Sequence, residues 1–173
     1  LTLAGLALGE MEALSGRGRK HALTLAQGDI TLIDETYNAN PESMRAALVM
    51  LGQIPRMGNG RRIAVLADMK ELGEESQSLH RELSAYIESE DIDLVMTFGD
   101  HMRHLHETLP PGRIGVHAPS LDKIESVLLS DLKADDVVML KGSNSMGLSK
   151  VVHTLCDVDK QNTLSIQTSE VAS

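Results

Sequence analysis

Three strand-like runs, each closed by polar residues and followed by a segment of helical period, constrain this chain more than any other feature. They are Ile63–Ala67, Leu94–Phe98 and Val137–Leu140. A strand that is apolar on both sides is buried on both faces, which is the condition of a parallel sheet covered by helices. The helical segments carry their apolar residues at spacings of three and four: Met44, Ala47, Leu48 and Leu51; Leu79, Leu83, Tyr86 and Ile87; Met102, Leu105 and Leu109; Leu121, Ile124 and Leu128; Leu148, Val151, Val152 and Leu155. A weaker strand falls at Ile114–Val116. Two earlier runs, His21–Ala26 and Asp29–Ile33, are joined by Gln27-Gly28 and read as an antiparallel hairpin. The predicted fold is α/β and Rossmann-like: a mostly parallel sheet with helices on both faces and an antiparallel N-terminal hairpin at one edge.

The boundaries follow from where periodicity begins and fails. Leu3, Leu6, Ala7 and Met11 share a helical face, so residues 1–14 read as the end of a preceding domain or a linker helix, broken by Ser15-Gly16. Residues 15–156 form the domain. From Asp157 the chain is polar and aperiodic, and residues 157–173 are expected to be a disordered tail.

Charge and cysteine content narrow the function classes. A formal net charge of −9 opposes nucleic-acid binding, and the short basic run Arg17, Arg19, Lys20 does not reverse it. No apolar run approaches the ~20 residues of a membrane span. The lone Cys156 excludes a disulfide framework and sits among apolar neighbours, where it reads as packing in a reducing compartment. Aromatic residues make up 2% of the 173 residues, so the core must be aliphatic and rich in methionine.

Ligands of open parallel sheets bind beyond the carboxyl ends of the strands. Those ends carry Asp34–Pro41, Asp68–Gly73, Gly99-Asp100-His101 and Lys141–Ser145. This clustering predicts a single polar rim. In the first loop, Asn38 and Asn40 before Pro41 fit a turn and a helix cap. The same loop also fits a ligand rim, with a strand-end carboxylate for ribose hydroxyls and the Tyr37 face for a base. Asp68 reads equally as a helix-capping residue. Glu74 and Glu75 suit a helix start electrostatically. His101, His104 and His106 suggest a metal cluster, but only the first two share a helical face, and the expectation is no metal site.

Four motifs in order carry a resemblance across residues 1 to 155. Ile33-Asp34-Glu35-Thr36-Tyr37-Asn38-Ala39-Asn40-Pro41-Glu42-Ser43-Met44 is similar to the D-D-S-Y-N-A-N-P-x-S-M run of the MurF family. Asp68-Met69-Lys70-Glu71-Leu72-Gly73-Glu74-Glu75-Ser76, followed by His80, resembles its G-D-M-x-E-L-G-x-x-S and following His. Lys141-Gly142-Ser143-Asn144-Ser145 resembles K-G-S-R-S, and Gly16-Arg17 resembles the G-R that opens the C-terminal domain across the Mur ligases. Two positions depart from the pattern. Ala67 stands for the usual Gly, and Asn144 for the usual Arg, which removes a fixed cation and its fork of donors.

The resemblance implies the C-terminal domain of a cytoplasmic, monomeric, ATP-dependent acid–D-amino-acid ligase of cell-wall (peptidoglycan) synthesis. Its substrates would be UDP-MurNAc-tripeptide and D-alanyl-D-alanine, joined through an acyl phosphate, with ATP and Mg2+ held mainly by a central domain outside this chain. By resemblance, Asp34 binds ribose, Tyr37, Asn38 and Asn40 line the nucleotide side, and Arg17 reaches the phosphates. Lys141, Ser143 and Asn144 face the dipeptide, and Asp68 and Glu71 join that side by orienting them. No Gly-x-x-x-x-Gly-Lys-Ser/Thr phosphate cradle occurs in the chain, so it is expected to be inactive alone and to depend on N-terminal and central domains. Two other readings stand beside this one. One is a Mur ligase for another amino acid, in which Y-x-H-x-P would be expected where Tyr37–Pro41 stands. The other is a stand-alone, non-catalytic Rossmann-like binding module.

Overall fold

A computed structural model describes residues 15–171, with side chains described through residue 164; the helix expected over residues 1–14 lies outside them. The strands are β1 (Arg19–Leu25), β2 (Gly28–Glu35), β3 (Arg62–Ala67), β4 (Leu94–Phe98), β5 (Ile114–Ala118) and β6 (Val137–Lys141). The helices are α1 (Pro41–Gln53), α2 (Ser76–Arg81), α3 (Leu83–Ser89), α4 (Met102–His106), α5 (Leu121–Asp131) and α6 (Leu148–Val171).

The six strands form one sheet in the order β1-β2-β6-β3-β4-β5. Only β1 pairs antiparallel, with Leu25 opposite Gly28 across the tight turn; every other pairing is parallel. Alternation along the strands divides the core into two layers. Leu32, Ile63, Val65, Val138 and Leu140 pack with Ile124 and Leu128 of α5 and with Val151 and Leu155 of α6. Ile33, Ala64, Leu66 and Met139 pack with Met44, Leu48 and Leu51 of α1, Leu83 and Ile87 of α3, and Met102 and Leu105 of α4. The chain therefore leaves β2 and β3 for helices on one face and leaves β6 for a helix on the other. Strand β6 lies between β2 and β3, so crevices open beside its carboxyl end, as they do at the switch point of a doubly wound sheet.

Three expectations change in detail. The helix read through Leu79–Ile87 is two short helices meeting at Glu82, where the Ala85 amide bonds Glu82 O three residues back instead of four. Strand β5 extends to Ala118, two residues beyond the expected end.

The largest change is at the C-terminus: order does not end at Asp157, because α6 continues to Val171. The polar tail residues have a structural task. Asp159 Oδ1 accepts the Thr24 amide at 2.6 Å, and Asn162 Nδ2 donates to Thr24 O at 3.2 Å. These side chains satisfy backbone groups on the outer edge of β1, where no further strand pairs among the described residues. That duty needs polar residues and so hides the helix from a search for apolar periodicity.

Candidate functional site

The loop after β2 is built inward before it is built outward. Asp34 is 2% exposed. Its Oδ2 accepts the Gly16 amide at 2.8 Å, and its Oδ1 accepts the Thr36 hydroxyl at 2.6 Å and the Thr36 amide at 3.1 Å. Gly16 has φ +78, and a Cβ there would lie 2.8 Å from Tyr37 N, so only glycine allows the two segments to meet. Tyr37 N then donates to Gly16 O at 3.0 Å. This arrangement sets the Arg17 guanidinium over the Tyr37 ring, 4.2 Å from its centroid.

The next residue faces the other way. Side chains alternate along a strand, so Glu35 shares the face of Ile33 and projects toward α1. Lys141 stands opposite it in register on β6. Lys141 Nζ lies 3.3 Å from Glu35 Oε2 and 2.9 Å from Asn38 O. Burial pushes the Lys141 ammonium below its ordinary pKa, and the Glu35 carboxylate pulls it back up. A cavity of about 330 Å³ is lined by Arg17, Glu35, Tyr37, Asn38, Ser43 and Lys141 together with Gly16. Tyr37 stands 51% exposed over it, its ring carrying the Arg17 guanidinium on one face and lying beside a carboxylate and the Lys141 ammonium.

Asn40 turns away to a different task. It caps α1: its Oδ1 accepts the Ser43 amide at 2.8 Å, while Ser43 Oγ accepts the Asn40 amide at 3.1 Å. Of the five residues expected on the nucleotide side, Arg17, Tyr37 and Asn38 line the cavity, and Asp34 and Asn40 hold the loop. The ribose role expected of Asp34 is corrected by its burial, because both of its oxygens are already used. Glu35 is the carboxylate that faces the cavity. The period-two rule applied from Ile33 would have found it, since Ile33 and Glu35 must share a face.

The loops after β3 and β6 are stitched to each other. Ser143 N donates to Asp68 O at 3.1 Å, and Lys70 N donates to Ser143 Oγ at 3.1 Å. Asp68 is 1% exposed; its Oδ1 accepts the Met102 amide at 2.8 Å and its Oδ2 pairs with Lys70 Nζ at 3.3 Å. Asp68 thus holds the first amide of α4, the helix that follows the neighbouring strand β4. His80 is fully buried, with Nδ1 2.6 Å from Ser76 O and Nε2 accepting the Met69 amide at 3.1 Å. These partners require the neutral ring with its proton on Nδ1. Burial accordingly holds its pKa below the ordinary imidazole value.

Among residues expected on the substrate side, Lys141 lines the cavity and Ser143 is spent on the stitch. Glu71, at φ 64, and Asn144 are exposed on the rim, and neither side chain has a hydrogen bond among the described residues. His101 stacks on His80 with ring centroids 5.6 Å apart, while His106 turns to His117 at 5.5 Å. Among the described residues no group of three His, Cys, Asp or Glu side chains could hold a metal ion. None of the described helices is long and apolar enough to cross a membrane.

Comparison with known proteins shows the family of this chain. Residues 18–144 match the family model for "Mur ligase, glutamate ligase domain". The UDP-N-acetylmuramoyl-tripeptide--D-alanyl-D-alanine ligase of Haemophilus influenzae is 33% identical over 131 residues, covering 75% of this chain and 28% of that protein. The ligase of the same name from Bacillus subtilis is 28% identical over 151 residues, 85% of this chain and 32% of that protein. The chain thus spans about a third of the length of these relatives. The fold is similar to that of a crystal structure of a MurF ligase from Thermotoga maritima in complex with ADP, with a TM-score of 0.73 and 24% identity, over 91% of this chain and 34% of that one.

Proposed function

Because the chain belongs to the Mur ligase, glutamate ligase domain family, we propose that it is the C-terminal domain, over residues 15–156 with α6 extending beyond it, of a cytoplasmic, monomeric UDP-N-acetylmuramoyl-tripeptide--D-alanyl-D-alanine ligase of peptidoglycan synthesis. The observation that carries this reading is the cavity beside β2 and β6. An exposed aromatic face, a carboxylate and two cations stand together there, which is the set of groups a nucleotide needs. Tyr37 offers a stacking surface for a base, Glu35 accepts ribose hydroxyls, and the exposed Arg17 is a cation for phosphate oxygens. The Lys141 ammonium braces Glu35 and the Asn38 carbonyl, so it orders the loop that carries Tyr37.

In such a ligase the tripeptide carboxylate attacks the γ-phosphorus of ATP, releasing ADP and forming an acyl phosphate. The dipeptide amine then attacks the acyl carbon, loses a proton, and inorganic phosphate departs. The developing negative charge in both steps calls for fixed cations. This chain supplies Arg17, Lys70 and Lys141 on the rim. Its residues build no metal site among those described, so no step through Mg2+ is assigned to it. Without a phosphate cradle of its own it is expected to be inactive alone, and the N-terminal and central domains are its partners.

Reading the coding sequence upstream of Leu1 tests the proposal first: a Gly-x-x-x-x-Gly-Lys-Ser/Thr run is expected there, and its absence overturns the reading. Phosphate release by the extended protein should require both UDP-MurNAc-tripeptide and D-alanyl-D-alanine. Release that ignores either substrate excludes this ligase.

A further inference from the structure

One stretch of the seam between β1 and α6 is not apolar. Leu23 and Leu25 of β1 pack with Val151, Val152 and Leu155 of α6. Alternation along the strand sets Arg19 and His21 on the same face as those leucines. On the helix, His153, Cys156 and Lys160 are spaced by three and four residues and share one face. The two stripes meet around a cavity of about 280 Å³, whose wall also holds Ser15 and Asp34.

This wall offers donors and almost no open acceptor. Asp34 brings a carboxylate, but its oxygens already accept the amides of Gly16 and Thr36 and the Thr36 hydroxyl. Lys160 pairs with Asp157 at 2.9 Å, both of them exposed, and such a surface pair holds its lysine weakly. His21 adds a donor with nothing to donate to. Its Nδ1 lies 3.8 Å from Cys156 Sγ. Burial raises the thiol above its ordinary pKa, so the sulfur keeps its proton. With the thiol as donor, Nδ1 is the acceptor and the imidazole proton sits on Nε2; a protonated ring carries one there too. That Nε2 is buried and has no hydrogen-bond partner among the described residues. A buried donor left without a partner is uncommon in a folded protein and calls for an occupant. The convergence of four basic side chains also runs against the net charge of −9.

We propose that this cavity binds a phosphate group, carried by inorganic phosphate or by a small phosphomonoester. A phosphate group is anionic at neutral pH and rich in acceptor oxygens, which matches a wall of donors. The Arg19 guanidinium can meet two of those oxygens with parallel N–H bonds. Lys160 and His153 supply further donors from the helix, and His21 Nε2 gains its missing acceptor. The site is distinct from the nucleotide cavity. Asp34 and Glu35 face opposite sides of the sheet, so this cavity lies on the α6 face and the other on the α1 face. The inference does not depend on the ligase reading.

The test uses the 173-residue chain at constant pH in a phosphate-free buffer. Inorganic phosphate and methyl phosphate are titrated in, with chloride at equal ionic strength as the control. The imidazole resonances of His21 and His153 should shift saturably with phosphate and not with chloride. Methyl phosphate binding as well as inorganic phosphate assigns the site to a phosphomonoester, and binding of inorganic phosphate alone assigns it to the free ion. Lys160→Gln, at a solvent-facing position, should weaken phosphate about tenfold without moving the unfolding midpoint. Cys156 is the single cysteine of the chain, so its alkylation by iodoacetamide gives a second reading. Phosphate should slow that reaction with the same midpoint as the resonance shifts. Shifts no larger than those with chloride, alkylation that ignores phosphate, or an unaltered phosphate affinity in Lys160→Gln each overturns the site.

Discussion

The loops after β2 and β3 carry motifs of similar length and similar strength, yet they are put to opposite uses. In Asp34–Asn40 the inward groups Asp34, Thr36 and Asn40 tie the loop down so that Tyr37 can stand half-exposed above a cavity. In Asp68–Gly73 the buried groups are consumed: Asp68 holds the start of α4 and pairs with Lys70, and His80 holds Met69, while Glu71 stays exposed on the rim. The first loop is a scaffold with a site on it. The second is almost wholly scaffold, and it serves the neighbouring loop after β6. A motif therefore marks where a chain is constrained, without distinguishing residues that touch a ligand from residues that aim those that do.

Substitutions can break this contrast, beginning with the greatest effect. Asp68→Ala strips a buried amide and a lysine of their acceptor and empties the space against which Gly99, at φ +107, is packed. It should lower unfolding free energy by about 3 kcal/mol, read from denaturant midpoints. A loss confined to ligand affinity would make the second loop a site after all.

His80 sharpens the same point through pH. Its folded pKa lies below its unfolded value of 6.5, so its contribution is complete above pH 6.5. It erodes as pH falls below that value, because the unfolded state takes up the proton first. The slope should approach but not exceed about 1.4 kcal/mol per pH unit for this single proton. His80→Gln should flatten it, and an unchanged slope would show that another group is responsible.

Asn40→Ala removes the α1 cap and should cost about 1 kcal/mol of stability, with nucleotide affinity of the extended protein little changed. A large affinity loss with no stability loss would return Asn40 to the ligand. Tyr37→Ala should be the mildest for folding, within about 0.5 kcal/mol, because its ring is half in solvent. The same change should weaken nucleotide binding about tenfold through lost stacking. Calorimetry of both quantities on one variant would separate the platform from the frame.

Much of the architecture was legible from the chain. The runs Ile63–Ala67 and Val137–Leu140 are apolar on every side, and Leu94–Phe98 is so but for Thr97; a doubly covered sheet satisfies that pattern. The hairpin was legible because Gln27-Gly28 is too short for any connection but a tight turn. The α6 extension was not, because Asp159 and Asn162 earn their place through hydrogen bonds to the Thr24 backbone, and such bonds leave no periodic trace.

The site divides in the same way. Composition, order of motifs and strand ends determined that a polar rim exists and which loops form it. Only the tertiary structure decided that Asp34 faces inward while Glu35 faces the cavity, that Lys141 is the partner of Glu35 across β2 and β6, and that the Thr97 hydroxyl sits between His106 of α4 and His117 of β5. Local sequence encodes the intrinsic preferences of backbone and side chain. It does not encode which distant donor reaches a buried acceptor first, and that competition assigns each polar residue either to the frame or to a ligand.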